Sequence, residues 1–396
     1  MVPRYGAEVV GGAEHAARMF AERLAERPGW DIEVLTTCAV DSNTWANHYP
    51  PGMVELNGVH VHRFASVAGR AADFPDIQAR ALQVPAHASV DDQEHFIRSQ
   101  GPIAPDVIDA ARASDADLLV FYPYLFWPTV HGVPAVADRA VFHPAAHDEA
   151  PVRLPLFKSI FESVQGLVFQ TVSERELVHE RFKVGHIPQL LLGLGVEETT
   201  GEPAAARAAF GIGERPYLLY VGRIDNAKGC GILGRFFAEY KRRRPGPLAL
   251  VMAGQVVEAP RAHPDIVLPG MIHDEVKWGA LRGASAVVMP SAFEAFSLIV
   301  IEGMTAGVPV VVNGRCHPTR EHCERSGGGL WFESYATFEA VVDRLLGDDA
   351  LRTRIGARGR SYVEANFRWP VLIDRYSGFL EQVAGRTRRG GLRAAS

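Results

Sequence analysis

Brief apolar runs alternate with segments of helical periodicity along most of the chain. Apolar runs closed by Gly, Pro or polar clusters predict buried strands, and apolar positions recurring every three or four residues predict helices. The strands predicted this way are 31–37, 59–64, 118–122, 139–142, 167–171 and 189–192, then 217–221, 248–253, 266–268, 286–289 and 308–312. Ala13–Arg27 reads as a helix with Ala16, Met19, Phe20 and Leu24 on one face and Pro28-Gly29 as its stop. Leu154–Ser163 has an apolar face of Leu156, Ile160 and Phe161, and Ser173-Glu174-Arg175-Glu176 opens a helix with a capping box. Further helices run to Arg244, near 273–282 and over 298–306, and 338–383 reads as two or three helices, one broken near Trp369-Pro370. Residues 65–100 read as an irregular insertion, the Gly- and Ala-rich stretch 193–213 as a linker, and basic 386–393 as a disordered tail. Strand–helix alternation on both sides of a linker predicts two doubly wound α/β domains.

The bulk properties narrow the function classes. A chain of 396 residues is comfortable as two domains, and its 47% hydrophobic and 22% charged residues are ordinary for a globular protein. A net charge of −5 gives no electrostatic case for nucleic acid. No apolar run approaches the roughly 20 residues that span a bilayer, and Leu154–Ser163 has a poor basic face, which leaves at most peripheral membrane contact. No secretory signal is visible, and four cysteines form no disulfide scaffold, so a reducing cytoplasm is the expected compartment. Asp115-Ala116-Asp117 precedes a strand, whereas ligands gather at the carboxyl ends, and Cys316, His317, His322 and Cys323 lack the usual zinc spacing. No metal site is expected.

The chemistry concentrates in 289–312. An apolar strand ends in Pro290-Ser291, Ser297 stands as N-cap before a helix over 298–306, Gly307 stops that helix, and a second apolar run follows. Unpaired N–H groups around Phe296, Ser297 and Leu298 suit an anion. Glu294 in the loop can accept hydrogen bonds from hydroxyls, and Glu302, just over a turn into the helix, can hold a diol such as ribose. A sugar hydroxyl, a phosphate and a ribose in a row describe a nucleotide-sugar. The plain structural alternative is a helix with a buried, salt-bridged Glu.

Glu294 and Glu302, in the setting P-S-x-x-E-x-F-S-L-x-x-x-E-G-M-x-x-G-V-P-V-V, resemble the signature of family 4 retaining glycosyltransferases. The usual family text has Gly at Ala295 and at Ser297; the first exchange places a methyl group near the donor, and the second keeps a small N-cap at little expected cost. Gly222-Arg223-Ile224-Asp225-Asn226-Ala227-Lys228-Gly229 looks like the family's G-R-x-x-x-x-K-G, whose Arg and Lys bind the donor diphosphate. The resemblance implies a GT-B fold, two Rossmann-like doubly wound domains facing a central cleft. Residues 1–195 would form the acceptor-side domain, 196–365 the nucleotide-sugar domain, 366–385 a helix crossing back, and 386–396 a disordered tail. It further implies that Gly11 and Gly12, in the glycine turn after Val9-Val10, lie near the donor phosphates. His147 would touch the donor sugar, with His143 as the competing assignment. The implied reaction is retaining, metal-independent and free of a cofactor, from a nucleoside-diphosphate-sugar donor to a hydroxyl acceptor, with domain closure completing the site. A nucleotide-sugar epimerase, a glucan-type phosphorylase and a non-catalytic nucleotide-sugar binder stand as alternatives. Neither base, sugar, acceptor nor oligomeric state is written in the sequence.

One feature sits badly with a doubly wound first domain. A central strand should precede the glycine turn, yet only Met1–Gly6 does so, with Pro3 inside it. The expectation is that the natural reading frame begins earlier or that the strand is severely shortened. A chain extended upstream should melt at a higher temperature than residues 1–396, and equal melting temperatures would refute this.

Overall fold

The structure, a computed structural model, describes residues 1–9 and 11–394 and divides into two compact units, Met1–Leu192 with the chain from Ile373 on, and Gly193–Leu372. The first unit holds two sheets. Strand β1 (Glu33–Thr37) pairs in parallel with β3 (Val59–Phe64), which pairs antiparallel with β2 (Gly52–Leu56). Strands β4 (Leu119–Phe121), β5 (Ala140–Phe142), β6 (Gly166–Phe169) and β7 (Gln189–Leu191) form a parallel sheet in chain order. Residues of β5 and β6 are buried throughout, because helices cover both faces of a parallel sheet and its strands become continuous apolar runs. Those helices are α1 (Gly12–Ala25), α2 (Phe74–Ala81), α3 (Val90–Gln100), α4 (Pro105–Ala113), α5 (Trp127–Ala135), α6 (Phe157–Ser163) and α7 (Val172–Arg181). Phe121, Phe142, Phe157, Phe161 and Phe169 fill the core between them, each worth about 1.5–3 kcal/mol of burial.

Among the described residues no strand precedes α1, but the first three residues make strand-like backbone bonds. Val2 donates to the Leu35 carbonyl at 3.2 Å and Pro3 accepts from the Thr37 N–H at 3.3 Å, while Met1 accepts from Tyr122 N–H at 3.1 Å. Met1–Pro3 thus joins the two sheets through β1 and the β4 end.

Several expectations are corrected. Residues 65–100 are not irregular: α2 and α3 bury Phe74, Ile77, Phe96 and Ile97 in the core. Strand β2 was not foreseen. It is an exposed edge strand without an apolar run, although Asn57-Gly58, both at positive φ, is the hairpin turn signal that could have revealed it. The helix at 173 is capped two residues earlier, by the Thr171 hydroxyl, with Glu174 as its third residue. Residues 386–394, expected as a disordered tail, continue the last helix, and 395–396 lie outside the described residues.

The second unit comprises α8 (Pro203–Phe210), β8 (Tyr217–Val221), α9 (Cys230–Arg243), β9 (Ala249–Ala253), β10 (Ile266–Gly270), α10 (Asp274–Gly283), β11 (Ala286–Met289), α11 (Leu298–Thr305), β12 (Val310–Asn313), α12 (His317–Ser326), β13 (Gly329–Phe332), α13 (Tyr335–Gly347) and α14 (Asp349–Asn366). The chain closes with α15 (Trp369–Ala394), whose residues from Ile373 belong to the first unit. All six strands run parallel in the order β10-β9-β8-β11-β12-β13. The chain winds outward from β8 in one direction and resumes from β11 in the other. The switch point lies between these two strands, and a crevice opens at their carboxyl ends.

Helix α11 opens against expectation. Ser297 is its N-cap residue, but φ is 70° and ψ 85°, and its hydroxyl caps nothing. A left-handed backbone is strained for any residue bearing a Cβ, which explains the family's Gly there; Ala295 has no such requirement. The exchange at 297 therefore carries a conformational cost. Ser297→Gly is expected to raise stability by about 1 kcal/mol, read as a melting temperature higher by a few degrees; a lower one would contradict the assignment.

Candidate active site

In the second unit the two loops that carry the candidate residues leave the switch point. The loop after β8 is built on Asp225, which is 6% exposed. Its carboxylate accepts from the Lys228 N–H at 2.7 Å and pairs with the Arg223 guanidinium. Burial works against that charge, but the Lys228 N–H and Arg223 prevail and hold the Asp225 carboxyl below its usual range. Gly229, at φ 77°, ends the loop where a Cβ would lie 2.5 Å from the Pro290 carbonyl oxygen, so the β8 and β11 loops touch through a residue with no side chain.

That contact brings Lys228 to Glu294, Nζ to Oε1 at 2.7 Å. Eight residues on, Glu302 pairs with Lys277 of α10 at 2.9 Å, and Lys277 also meets Asp274 at 3.0 Å. Burial raises the Glu302 carboxyl, opposed by the Lys277 ammonium. Between the two pairs stands the start of α11. The Ser297 hydroxyl there is buried and has no hydrogen-bond partner, a costly state that a ligand acceptor or donor would relieve. The Phe296 side chain is core, packed edge-on to His322 and Phe367 at 4.8 and 5.3 Å, which leaves its backbone as the part able to serve a ligand. Arg223, Lys228, Glu294, Phe296, Ser297, Leu298 and Glu302 are thus gathered on two adjoining loops and one helix of a single unit.

Two residues there escaped the sequence reading. Asp225 lies inside the Gly222–Gly229 motif, and its spacing from Arg223 was the available signal. Lys277 gave none: beside Asp274 it reads as an ordinary helix-surface pair, and Glu302 reaches it only through the pairing of the sheet.

The first unit holds the remaining candidates. Gly11 and Gly12 open α1 beside a buried ion pair, Arg4 Nε to Glu14 Oε1 at 3.0 Å; Val10 lies outside the described residues. His143 is 3% exposed, stacked on Tyr122 at 4.1 Å, with Nε2 3.1 Å from the Tyr122 hydroxyl and 2.9 Å from that of Tyr376. Burial pushes its pKa well down, so it is a neutral core residue. His147 is the half-exposed one, Nε2 3.4 Å from Glu149 Oε2. Glu149 in turn accepts from the Tyr124 hydroxyl. Trp45 is buried and donates to the Gln100 carbonyl at 2.8 Å as a loop anchor. All four cysteines are buried free thiols, and among the described residues no cluster of three or more His, Cys, Asp or Glu is placed to hold a metal ion.

Comparison with known proteins agrees with this architecture. Residues 204–362 match the family model for glycosyl transferases group 1. The chain is 28% identical over 421 residues to D-inositol 3-phosphate glycosyltransferase of Nocardia farcinica, covering 95% of this chain and 86% of that protein. It is 24% identical over 342 residues to alpha-D-kanosaminyltransferase of Streptomyces kanamyceticus, covering 82% and 78%. Among solved structures, sucrose-phosphate synthase from Thermosynechococcus elongatus superposes with a TM-score of 0.69 at 19% identity, covering 100% of this chain and 99% of that one. Anabaena HepE, in complex with UDP and glucose, gives 0.68 at 14% identity, covering 96% and 99%. Residues 204–362 are thus similar to glycosyl transferases group 1, and the chain is a glycosyltransferase of the GT-B fold.

Proposed function

We propose that this enzyme transfers a sugar from a nucleoside-diphosphate-sugar to a hydroxyl acceptor with retention of configuration and without a metal ion. The observation that carries the reading is the switch-point constellation: two carboxylates, each with its own lysine, on either side of a helix start whose Ser297 hydroxyl lacks a partner. Its order along α11 and the preceding loop matches the order of sugar, diphosphate and ribose in a donor.

In this reading Glu302 accepts from the ribose hydroxyls, and Lys277 keeps it ionised. Glu294 accepts from a hydroxyl of the donor sugar. Lys228 exchanges part of its contact with Glu294 for a phosphate oxygen, and Arg223, oriented by Asp225, meets the diphosphate beside it. The N–H groups of Ser297 and Leu298 face the same charge. As the sugar bond breaks, negative charge grows on the leaving diphosphate, and cations fixed beforehand stabilise that change. The departing phosphate takes the acceptor's proton on the face where the acceptor attacks, so neither carboxylate acts as a nucleophile. From the first unit, His147 is proposed to meet the donor sugar. The cytoplasm is the compartment proposed, on the grounds of four unpaired thiols. Among the described residues no helix is long and apolar enough to cross a membrane.

Two measurements bear on this. In a melting-temperature screen against UDP, GDP, ADP, CDP and dTDP, one base is expected to stabilise the protein selectively, and equally with EDTA present; stabilisation abolished by EDTA would refute metal independence. Lys228→Ala is expected to lower kcat about 10²–10³-fold with the melting temperature changed by only a few degrees, and an unchanged kcat would remove Lys228 from the site.

A further inference from the structure

The loop that carries His147 has a holding device on a different element. Between β5 and α6 the backbone is left-handed at Ala145, with φ 52°, a conformation that persists in a residue with a Cβ only when its surroundings enforce it. The enforcing contact comes from α7. The Ala146 N–H donates to Glu174 Oε1 at 2.8 Å, across 28 residues of sequence. The other oxygen, Oε2, accepts from the Gln170 N–H at 2.7 Å, and the Glu174 N–H is bound by the Thr171 hydroxyl at 3.2 Å. One oxygen therefore caps the helix and the other grips the loop. Two further ties flank the grip. Asp148 pairs with Arg181 of α7 at 3.1 Å, and Tyr124 donates its N–H to the Pro144 carbonyl at 3.0 Å.

Resting on the proposed role of His147, we infer that Glu174 is a positioning residue of the transfer reaction, which sets His147 by holding the Ala145–Ala146 backbone with an ionised carboxylate. It touches no reacting atom and acts through the loop. The ionised form is needed because both oxygens face N–H donors. A protonated acid or an amide turns one of those positions into a donor and loses one bond. A plain helix cap would need only Oε2; the bond to Ala146 is not part of any cap. Glu174 is 1% exposed. Burial pushes its carboxyl up to about 7, against the pull of the Gln170 and Ala146 N–H groups, of His147 and of the Thr171 N–H. The grip therefore changes strength close to neutrality.

Hydrogen–deuterium exchange of the full chain tests this without a substrate. In the wild type, protection of a peptide spanning 143–149, corrected for intrinsic rates, is expected to rise as pH passes upward through about 7. Glu174→Gln should lower that protection about tenfold and abolish its pH dependence, while peptides over β5 and β6 keep theirs. The His147 ring signal in a spectrum of histidine-labelled protein should shift in the same variant, with that of His143 unmoved. A flat wild-type profile, an unchanged loop in Glu174→Gln, or a uniform loss across the first unit would each overturn the inference. The wild-type series needs no variant to fold. The underlying reading of His147 fails separately: His147→Ala would then leave turnover unchanged while loop exchange still follows Glu174.

Discussion

A carboxylate drawn into a half-buried crevice must be compensated, and the second unit meets that requirement with lysines. Glu294 is held by Lys228 and Glu302 by Lys277. Removing one partner of a well-buried pair costs about 3–5 kcal/mol, because a charge is left without compensation. These pairs keep side-chain exposures between 13% and 33%, so their cost lies toward the lower end or beneath it. In the proposed reading, partial exposure is also what makes them usable: a lysine buried completely against its carboxylate could not turn to a phosphate, whereas one at the rim can trade partners for little net energy. The rest of the site follows from where these pairs stand. The sheet order sets the crevice, Gly229 lets its two loops meet, and Asp225 aims the guanidinium and the lysine backbone.

The second unit was largely legible in the sequence, for a definite reason. Its strands are buried on both faces, so β8, β9, β11 and β12 appear as unbroken apolar runs. Its candidate site residues lie in two compact motifs at strand ends, where local spacing carries most of the geometry. The first unit was less so. Strand β2 faces solvent, and α2 and α3 are short helices whose burial is decided by what packs on them. His143 and His147 could not be told apart by spacing, since both follow the same strand. Tyr122 and the distant Tyr376 enclose His143, a difference in surroundings that local spacing does not carry. Ser297 shows a different limit. Its type fits an N-cap well, but the turn entering α11 demands a left-handed residue, and dihedral angles are not written in residue type.

Glu174 shows how stability and positioning can oppose each other. A carboxyl raised from its ordinary value to about 7 by burial binds its proton more tightly in the folded chain than in the unfolded one. Between the ordinary value and about 7 its contribution to stability therefore falls as pH rises. The ionised state that grips the loop is the less stable one, and the N–H donors of Ala146 and Gln170 only partly offset it.

The last helix gives the first unit an unusual assembly history. Tyr376 closes over Phe20 and His143, and Phe379 and Val383 pack on Gly166. Those residues leave the ribosome only after every residue of the second unit has been made. A nascent first unit therefore waits with part of its core open, while the second, continuous from Gly193 to Leu372, can fold as soon as it emerges. Vectorial synthesis completes the domain encoded first last of all.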